Sequence, residues 1–104
     1  MKNKYNAVKT NGYSSKKESA RADALKLLQR AGVISDLREQ VVYVLAPSVV
    51  IQGRKRPPLR YIADFVYVED GKEIINDVKG KITEGYRIKR HLMASVLGIQ
   101  ILET

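Results

Sequence analysis

The sequence predicts a mixed α/β domain in which two helices cover a central sheet, with the element order helix, three strands, helix, strand. Residues 15–31 and 83–97 combine helical apolar spacing with capping signals. Two runs of β-branched and aromatic residues flank Asp70-Gly71, which is a strong hairpin signal. The apolar run at residues 99–102 follows the second helix, and a right-handed crossover would bring it back parallel to its neighbour.

Composition limits the possible functions. The chain has 104 residues, which suits a single modest core, and its net charge of +8 points to a polyanionic partner, most simply nucleic acid. It contains no cysteine, so disulfides and cysteine-based zinc sites are excluded. The sequence has neither a run of ~18 apolar residues nor a secretory signal. We therefore expect a soluble, cytoplasmic protein with no membrane partner.

The first element is a helix that follows a loose N-terminal arm. Residues 1–13 are polar and basic and are expected to form a flexible arm, which leaves residues 14–104 as one domain. Ser15 and Glu18 have capping-box spacing, the helix should continue to about Ala31, and Gly32 should end it. Helical spacing selects a buried stripe of Ala20, Ala24, Leu27, Leu28 and Ala31.

Three strands and a second helix follow. Residues 37–45 are predicted to form a strand, which residues 48–52 would prolong beyond Ala46-Pro47, and residues 53–58 are interpreted as a basic turn or loop. The strands of the hairpin cover residues 61–68 and 73–79, and both faces of the hairpin are mostly apolar, as in the centre of a covered sheet. The second helix would begin after Thr83 and stop at Gly98, with a core stripe of Ile88, Leu92 and Val96.

The hairpin register brings two acids together. A two-residue turn at Asp70-Gly71 pairs Glu69 with Lys72 and places Asp64 directly opposite Asp77. Lys79 would share their face, because side chains alternate along a strand. Directly opposed like charges are destabilising, so a cation is expected between the two carboxylates. The alternative is a pair of surface aspartates in a half-exposed hairpin.

These residues carry a resemblance to a known family. With Glu18 on the first helix, Asp64 on the second strand and Asp77-Val78-Lys79 on the third, the chain resembles the PD-(D/E)XK nuclease superfamily. Several segments are similar to a small phage-encoded nuclease-like family that resembles archaeal-type Holliday junction resolvases; they are residues 15–18, 61–65, 77–80 and 86–90. The resemblance implies a restriction-endonuclease-like core of order αβββαβ. Ala63 stands where the motif's name has proline, and Asp77 where many members have glutamate.

The implied activity is metal-assisted phosphodiester hydrolysis. The resemblance implies that Asp64, Asp77 and the Val78 carbonyl hold Mg²⁺ or Mn²⁺, and such oxygen ligands suit these ions. Lys79 would orient or deprotonate the attacking water, or stabilise charge on the phosphate. The role of Glu18 stays open between the metal shell and a cap that accepts the Ser15 N–H. The substrate would be branched DNA, cut by a homodimer, in the host-cell cytoplasm if the protein is phage-encoded.

Three basic clusters are candidate DNA contacts. They are Lys16, Lys17 and Arg21 on the first helix, Arg54, Lys55 and Arg56 in the loop, and Lys81, Arg87, Lys89 and Arg90 around the second helix. Two other functions stay open: a noncatalytic basic module that binds nucleic acid, and a general nicking nuclease without junction preference. The opposed aspartates favour an enzyme, because a pure binder gains nothing from their repulsion.

Overall fold

The computed structural model describes residues 12–104, and residues 1–11, most of the predicted arm, lie outside the described part. Two helices and a mixed four-stranded sheet confirm the predicted mixed α/β class. The elements are α1 (Lys16–Arg30), β1 (Ser35–Ala46), β2 (Val49–Ile51), β3 (Arg54–Arg56), β4 (Leu59–Glu69), β5 (Lys72–Asp77), α2 (Glu84–Leu97) and β6 (Leu102–Glu103).

The main sheet has the strand order β1-β4-β5-β6. β1, β4 and β5 are antiparallel neighbours, whereas β6 pairs with β5 in parallel, as the crossover argument predicted. The last strand lies further along the chain than residues 99–102, because only Leu102 and Glu103 find ladder partners. At the central turn, Asp70 and Gly71 both have positive φ, at 52° and 75°, which is the type I′ geometry of a two-residue hairpin.

Both helices begin, and α2 ends, where capping chemistry predicted. Ser15 caps α1 by accepting from the Glu18 N–H, and Thr83 caps α2 by accepting from the Tyr86 N–H. Gly98 ends α2 in the left-handed conformation, with φ of 67°.

The predicted buried stripes of the helices are confirmed only at Leu28 and Leu92, which are half-buried against the two clusters, and are otherwise wrong. α1 buries Glu18, Ser19, Ala22 and Leu25, while Leu27 is 59% exposed and Leu28 is only half-buried. α2 buries Tyr86 and Met93, while Ile88 and Val96 are 53% and 55% exposed. Each helix carries apolar residues on more than one face, so spacing alone selected the face with more aliphatic residues. The sheet instead receives a face that mixes polar, aromatic and sulfur-containing side chains.

A small hairpin was missed in the sequence. Residues 53–58 are not a loop, because Arg54–Arg56 forms β3 and pairs antiparallel with β2. Its turn is Gln52-Gly53, with φ of 50° and 76°, so it repeats the type I′ geometry of the central turn. Every residue from Pro47 to Arg60 is exposed. This β2–β3 hairpin therefore projects from the body of the molecule.

Two hydrophobic clusters lie on opposite faces of the sheet. α2 packs on a cluster that includes Tyr61, Ala63 and Val66, and α1 packs on one that includes Phe65 and Tyr67. Side-chain alternation along β4 is thus interrupted between Ala63 and Phe65, because strict alternation would place these two residues on one face. β1 is interrupted at the same place, because Gln40 has a φ of 54°. The pairs on either side of it, Glu39↔Phe65 and Val41↔Ala63, keep the same register. Asp64 lies at this irregularity.

The boundary of the N-terminal arm also needs a correction. Tyr13 was placed in the arm, yet it packs against the cluster under α1. Its ring lies 6.4 Å from the ring of Phe65, and its hydroxyl accepts from Lys26 Nζ at 3.1 Å. Aromatic burial ties this residue to the domain.

Candidate functional site

The predicted acidic pair and lysine meet where the middle of β4 lies beside the end of β5. The ladder runs from Glu69↔Lys72 to Phe65↔Asn76, and Asp64 and Asp77 are the residues that follow its last pair on the two strands. Asp64 Oδ2 accepts from the backbone N–H of Val78 at 2.9 Å, which attaches the acid to the end of β5. Asp64, Asp77 and Lys79 line one concavity on the protein surface.

Asp77 is a buried acid in an unfavourable environment. It is only 2% exposed, and burial together with a hydrogen bond to Asp64 raises its pKa to about 6. Its Oδ2 lies 2.8 Å from Lys79 Nζ as an ion pair, yet this buried oxygen has no hydrogen bond of good geometry. The ion pair lowers the pKa of Asp77 and offsets burial only in part. A cation of higher charge at this position would favour the ionised form further.

Lys79 lies just beyond β5 rather than inside the predicted strand. Its backbone N–H donates to Thr104 O at 3.0 Å, and its carbonyl accepts from Lys17 Nζ at 2.8 Å. The backbone of Lys79 is thus held by Thr104, just after β6, on one side and by Lys17 of α1 on the other. These two contacts fix the chain from which the Lys79 ammonium reaches Asp77.

Two tyrosines line the site and were not identified in the sequence as site residues. Tyr61 lies on β4, and its buried hydroxyl has no hydrogen-bond partner of good geometry. Burial and the nearby Asp77 carboxylate raise the pKa of this phenol. Tyr86, in the first turn of α2, faces Lys79, whose ammonium lies 3.9 Å from the ring centroid. Helical spacing gave no signal for Tyr86, because the apolar stripe it selected runs through Ile88, Leu92 and Val96, whereas α2 buries Tyr86 and Met93.

Glu18 lies in a neighbouring concavity. That second concavity is shared with Asp64 and includes Glu39 and Gln40. The Ser15 half of the expected capping box is present, but the Glu18 half is not. Glu18 Oε1 and Oε2 lie 3.4 Å from Ser14 Oγ and Ser14 N, so its cap involves Ser14 rather than Ser15.

The candidate DNA contacts are dispersed. Arg21 Nε donates to Asn76 Oδ1 at 2.9 Å and its Nη2 to Tyr67 Oη at 3.1 Å, so this guanidinium helps dock α1 on the sheet. Arg90 is paired with Glu103. Lys89 lines the same concavity as the acidic pair. The remaining candidates are exposed, namely Lys16, Arg54, Lys55, Arg56, Lys81 and Arg87.

The site offers two carboxylates as possible ligands for a metal ion. Within residues 12–104, no group of three or more histidine, aspartate or glutamate side chains is assembled for a metal. Mg²⁺ is commonly held by one or two carboxylates, with water and substrate phosphate completing its shell. Asp64 and Asp77 meet that smaller requirement, and the Asp77 oxygen without a good hydrogen bond is a suitable donor.

Comparisons with known proteins give one family. Residues 2–97 match the family described as Protein of unknown function (DUF1064). The chain belongs to this family. The match includes α1, the acidic pair, Lys79 and α2, so the whole candidate site lies within the family's domain. Searches of curated proteins and of solved structures found no match. In the part of the chain that the structure describes, no helix is long and apolar enough to cross a membrane.

Proposed function

We propose that this DUF1064 protein is a divalent-metal-dependent endonuclease that hydrolyses DNA phosphodiester bonds, with a preference for branched DNA. The observation that carries the proposal is the buried Asp77 beside Asp64, with the Lys79 ammonium 2.8 Å from Asp77 Oδ2. Two acids and a lysine at the end of a hairpin are costly as pure structure, because burying charge destabilises a fold unless the groups are paired.

The proposed chemistry divides roles among three residues. Asp64, Asp77 and the Val78 carbonyl would hold Mg²⁺ or Mn²⁺, which supplies polarisation of the scissile phosphate and a lower pKa for an attacking water. Lys79 orients that water or stabilises charge on the phosphate oxygens. Glu18 reaches the same region only through the concavity it shares with Asp64, so we assign it a supporting role at the edge of the site.

Charge supports a polyanionic substrate. The chain has 19 basic and 11 acidic residues, and Lys89 lies beside the acidic pair. The exposed hairpin adds Arg54, Lys55 and Arg56, and no acid occurs between Glu39 and Asp64. Phosphate contacts of this kind supply affinity and position without reading sequence. A preference for junctions would require a homodimer that presents two such surfaces.

A noncatalytic nucleic-acid-binding module is the second candidate, and one observation favours it. Lys79 already forms an ion pair with Asp77, and the Val78 N–H already donates to Asp64. An acidic pair with these partners is able to serve structure alone. The two candidates differ in a measurable respect, because a purely structural pair has no need of a divalent ion.

The deciding experiment is a cleavage assay on four-way junctions, flaps, nicked duplexes, plain duplexes and single strands. Each DNA is incubated with Mg²⁺, with Mn²⁺ and with chelator, using the wild type and Asp77→Asn in parallel. We expect cleavage only with a divalent ion and only by the wild type. Equal cleavage by both proteins would refute the assignment of Asp77 to the active site. Binding without cleavage under all metal conditions would leave the noncatalytic module as the function.

A further inference from the structure

Tyr86 is fixed in the site by contacts at both ends of its side chain. Its hydroxyl donates to Glu103 Oε2 at 2.5 Å, and Arg90 Nη1 donates to the same oxygen at 2.8 Å. Its ring contacts that of Tyr61, with centroids 6.3 Å apart. Tyr86 itself is 7% exposed. The ring therefore presents a defined face to the concavity that holds the acidic pair.

That face lies against Lys79. The ammonium is 3.9 Å from the ring centroid, well inside the range in which an aromatic quadrupole attracts a cation. The same ammonium is 2.8 Å from Asp77 Oδ2, so it lies between a carboxylate and a ring. A free lysine side chain has several rotatable bonds and loses considerable entropy when it is held in one position. Two contacts are thus available to offset that loss.

The ion pair with Asp77 and the contact with the Tyr86 ring respond differently when Asp77 binds another cation. Any cation held by Asp77 draws on the same negative charge that attracts Lys79, so the ion pair weakens. The ring of Tyr86 carries no net charge and keeps its attraction for the ammonium. We propose that Tyr86 is a positioning residue, which retains Lys79 beside the acidic pair when Asp77 is engaged elsewhere. This role rests on the proposed nuclease function.

The last strand explains why the ring has the required orientation. In the parallel ladder Glu103 pairs with Asp77, so the acceptor of the Tyr86 hydroxyl lies one strand away from the buried acid. The hydrogen bond from Tyr86 and the pairing with Arg90 lower the pKa of Glu103, which keeps it ionised as an acceptor. β6 thereby links the position of the ring to the position of Asp77.

The test compares two substitutions of Tyr86 with a control elsewhere in the same cluster. Tyr86→Phe keeps the ring and removes the hydroxyl, whereas Tyr86→Leu removes the ring. Leu45→Ala is the control, because Leu45 belongs to the same buried cluster and its truncation destabilises that cluster directly. All proteins are compared well below their melting temperatures. NMR of the Lys79 ε-methylene protons reports ring contact, since protons above an aromatic face resonate upfield.

We expect the upfield Lys79 resonances to remain in Tyr86→Phe and Leu45→Ala and to be lost in Tyr86→Leu. Cleavage should fall further in Tyr86→Leu than in Tyr86→Phe or Leu45→Ala, and by about as much as in Lys79→Ala. The double variant should be no slower than Lys79→Ala, because the two residues act as one unit. Unchanged Lys79 resonances in Tyr86→Leu would overturn the proposal, as would equal cleavage by Tyr86→Leu and Leu45→Ala. If the wild type cuts no DNA, the nuclease function and the role in cleavage both fail, while NMR still decides whether the ring holds the ammonium.

Discussion

Asp64 and Asp77 show how far single residues could be placed from the sequence. Their proximity followed from one turn, because Asp70-Gly71 sets a two-residue connection and therefore the register of the ladder, which ends at Phe65↔Asn76 just before the two acids. Their surroundings did not follow from that register. Tyr61 and Tyr86 enter the site through an irregularity in β4 and the first turn of α2, and such contacts depend on how separate elements pack.

Removing either charge should separate activity from folding. We expect Asp64→Asn and Asp77→Asn each to abolish cleavage while DNA binding persists, because the phosphate contacts lie elsewhere. Without metal, each variant should be slightly more stable than the wild type, since like-charge repulsion in the pair is relieved. Cleavage, DNA affinity and thermal melting in chelator provide the three measurements. Full cleavage by either variant would refute the assignment.

The raised pKa of Asp77 gives the metal-free protein a pH-dependent stability. Its pKa rises from 3.8 to about 6 on folding, so the folded chain binds the proton more tightly than the unfolded chain. Below pH ~4 both states are protonated at this residue and its contribution vanishes. Between pH ~4 and ~6 the unfolded chain ionises at Asp77 while the folded chain keeps the proton, so the free energy of unfolding decreases. Above pH ~6 both states are ionised, and the full cost of burying the charge is present.

The comparison with Asp77→Asn isolates that contribution. We expect the melting temperature of the wild type, relative to the variant, to decrease as pH rises from 4 to 6 in chelator and then to level off. A change of about 1 kcal/mol would correspond to roughly 4–8 °C in a domain of this size. Parallel melting curves across this range would show that Asp77 does not titrate as the structure indicates.

Lys79 should matter for rate more than for affinity. Replacing it with alanine is expected to slow cleavage on the order of 10²-fold or more, the usual penalty for one positioned electrostatic or proton-transfer group. DNA binding should weaken only slightly, because one contact is a small share of the total. Lys72→Ala, an exposed lysine at the central turn, is the matched control. Equal losses of binding and rate in Lys79→Ala would make it a phosphate anchor.

At the scale of elements, ends were more predictable than faces. The helices begin after Ser15 and Thr83, and α2 ends at Gly98, as predicted, because capping depends on local backbone chemistry. The face that each helix buries depends on which side chains of the sheet it contacts. Arg21 bonds Asn76 and Tyr67, so a polar contact helps decide which side of α1 faces inward. Apolar spacing carries no information about such a contact.

Two leucines of α1 test the corrected face. Leu25 is fully buried, so Leu25→Ala should cost about 2–5 kcal/mol. Leu27 is 59% exposed, so Leu27→Ala should stay within about 0.5 kcal/mol of the wild type. Both changes replace one good helix former with another, and their difference therefore reports packing rather than helix propensity. If both substitutions lower the free energy of unfolding in denaturant by the same amount, Leu27 is buried as its helical spacing predicted, and the corrected face is wrong.

At the scale of the whole molecule, the sheet order and the β2–β3 hairpin decide where charge is presented. The parallel return of β6 was predictable from crossover handedness. The hairpin was not, because Gln52-Gly53 is a less familiar turn pair and its strands have only three residues each. An isolated two-stranded hairpin is marginally stable in water, and this one exposes Val50 to 70%. Its exposed basic and apolar side chains suit contact with a partner.

We predict a homodimer that binds a four-way junction more tightly than a linear duplex of equal length at one fixed salt concentration. Affinity should fall with salt by a log–log slope of about −0.9 per phosphate contacted on duplex DNA. Replacing Arg54, Lys55 and Arg56 together by alanine should reduce the junction preference and flatten that slope, while metal binding is unaffected. The same substitution of Lys26, Arg30 and Lys72 removes equal charge elsewhere and should leave the preference intact. If the protein is a monomer with equal affinity for both DNAs, junction selectivity is excluded, and a general nicking nuclease describes the site better.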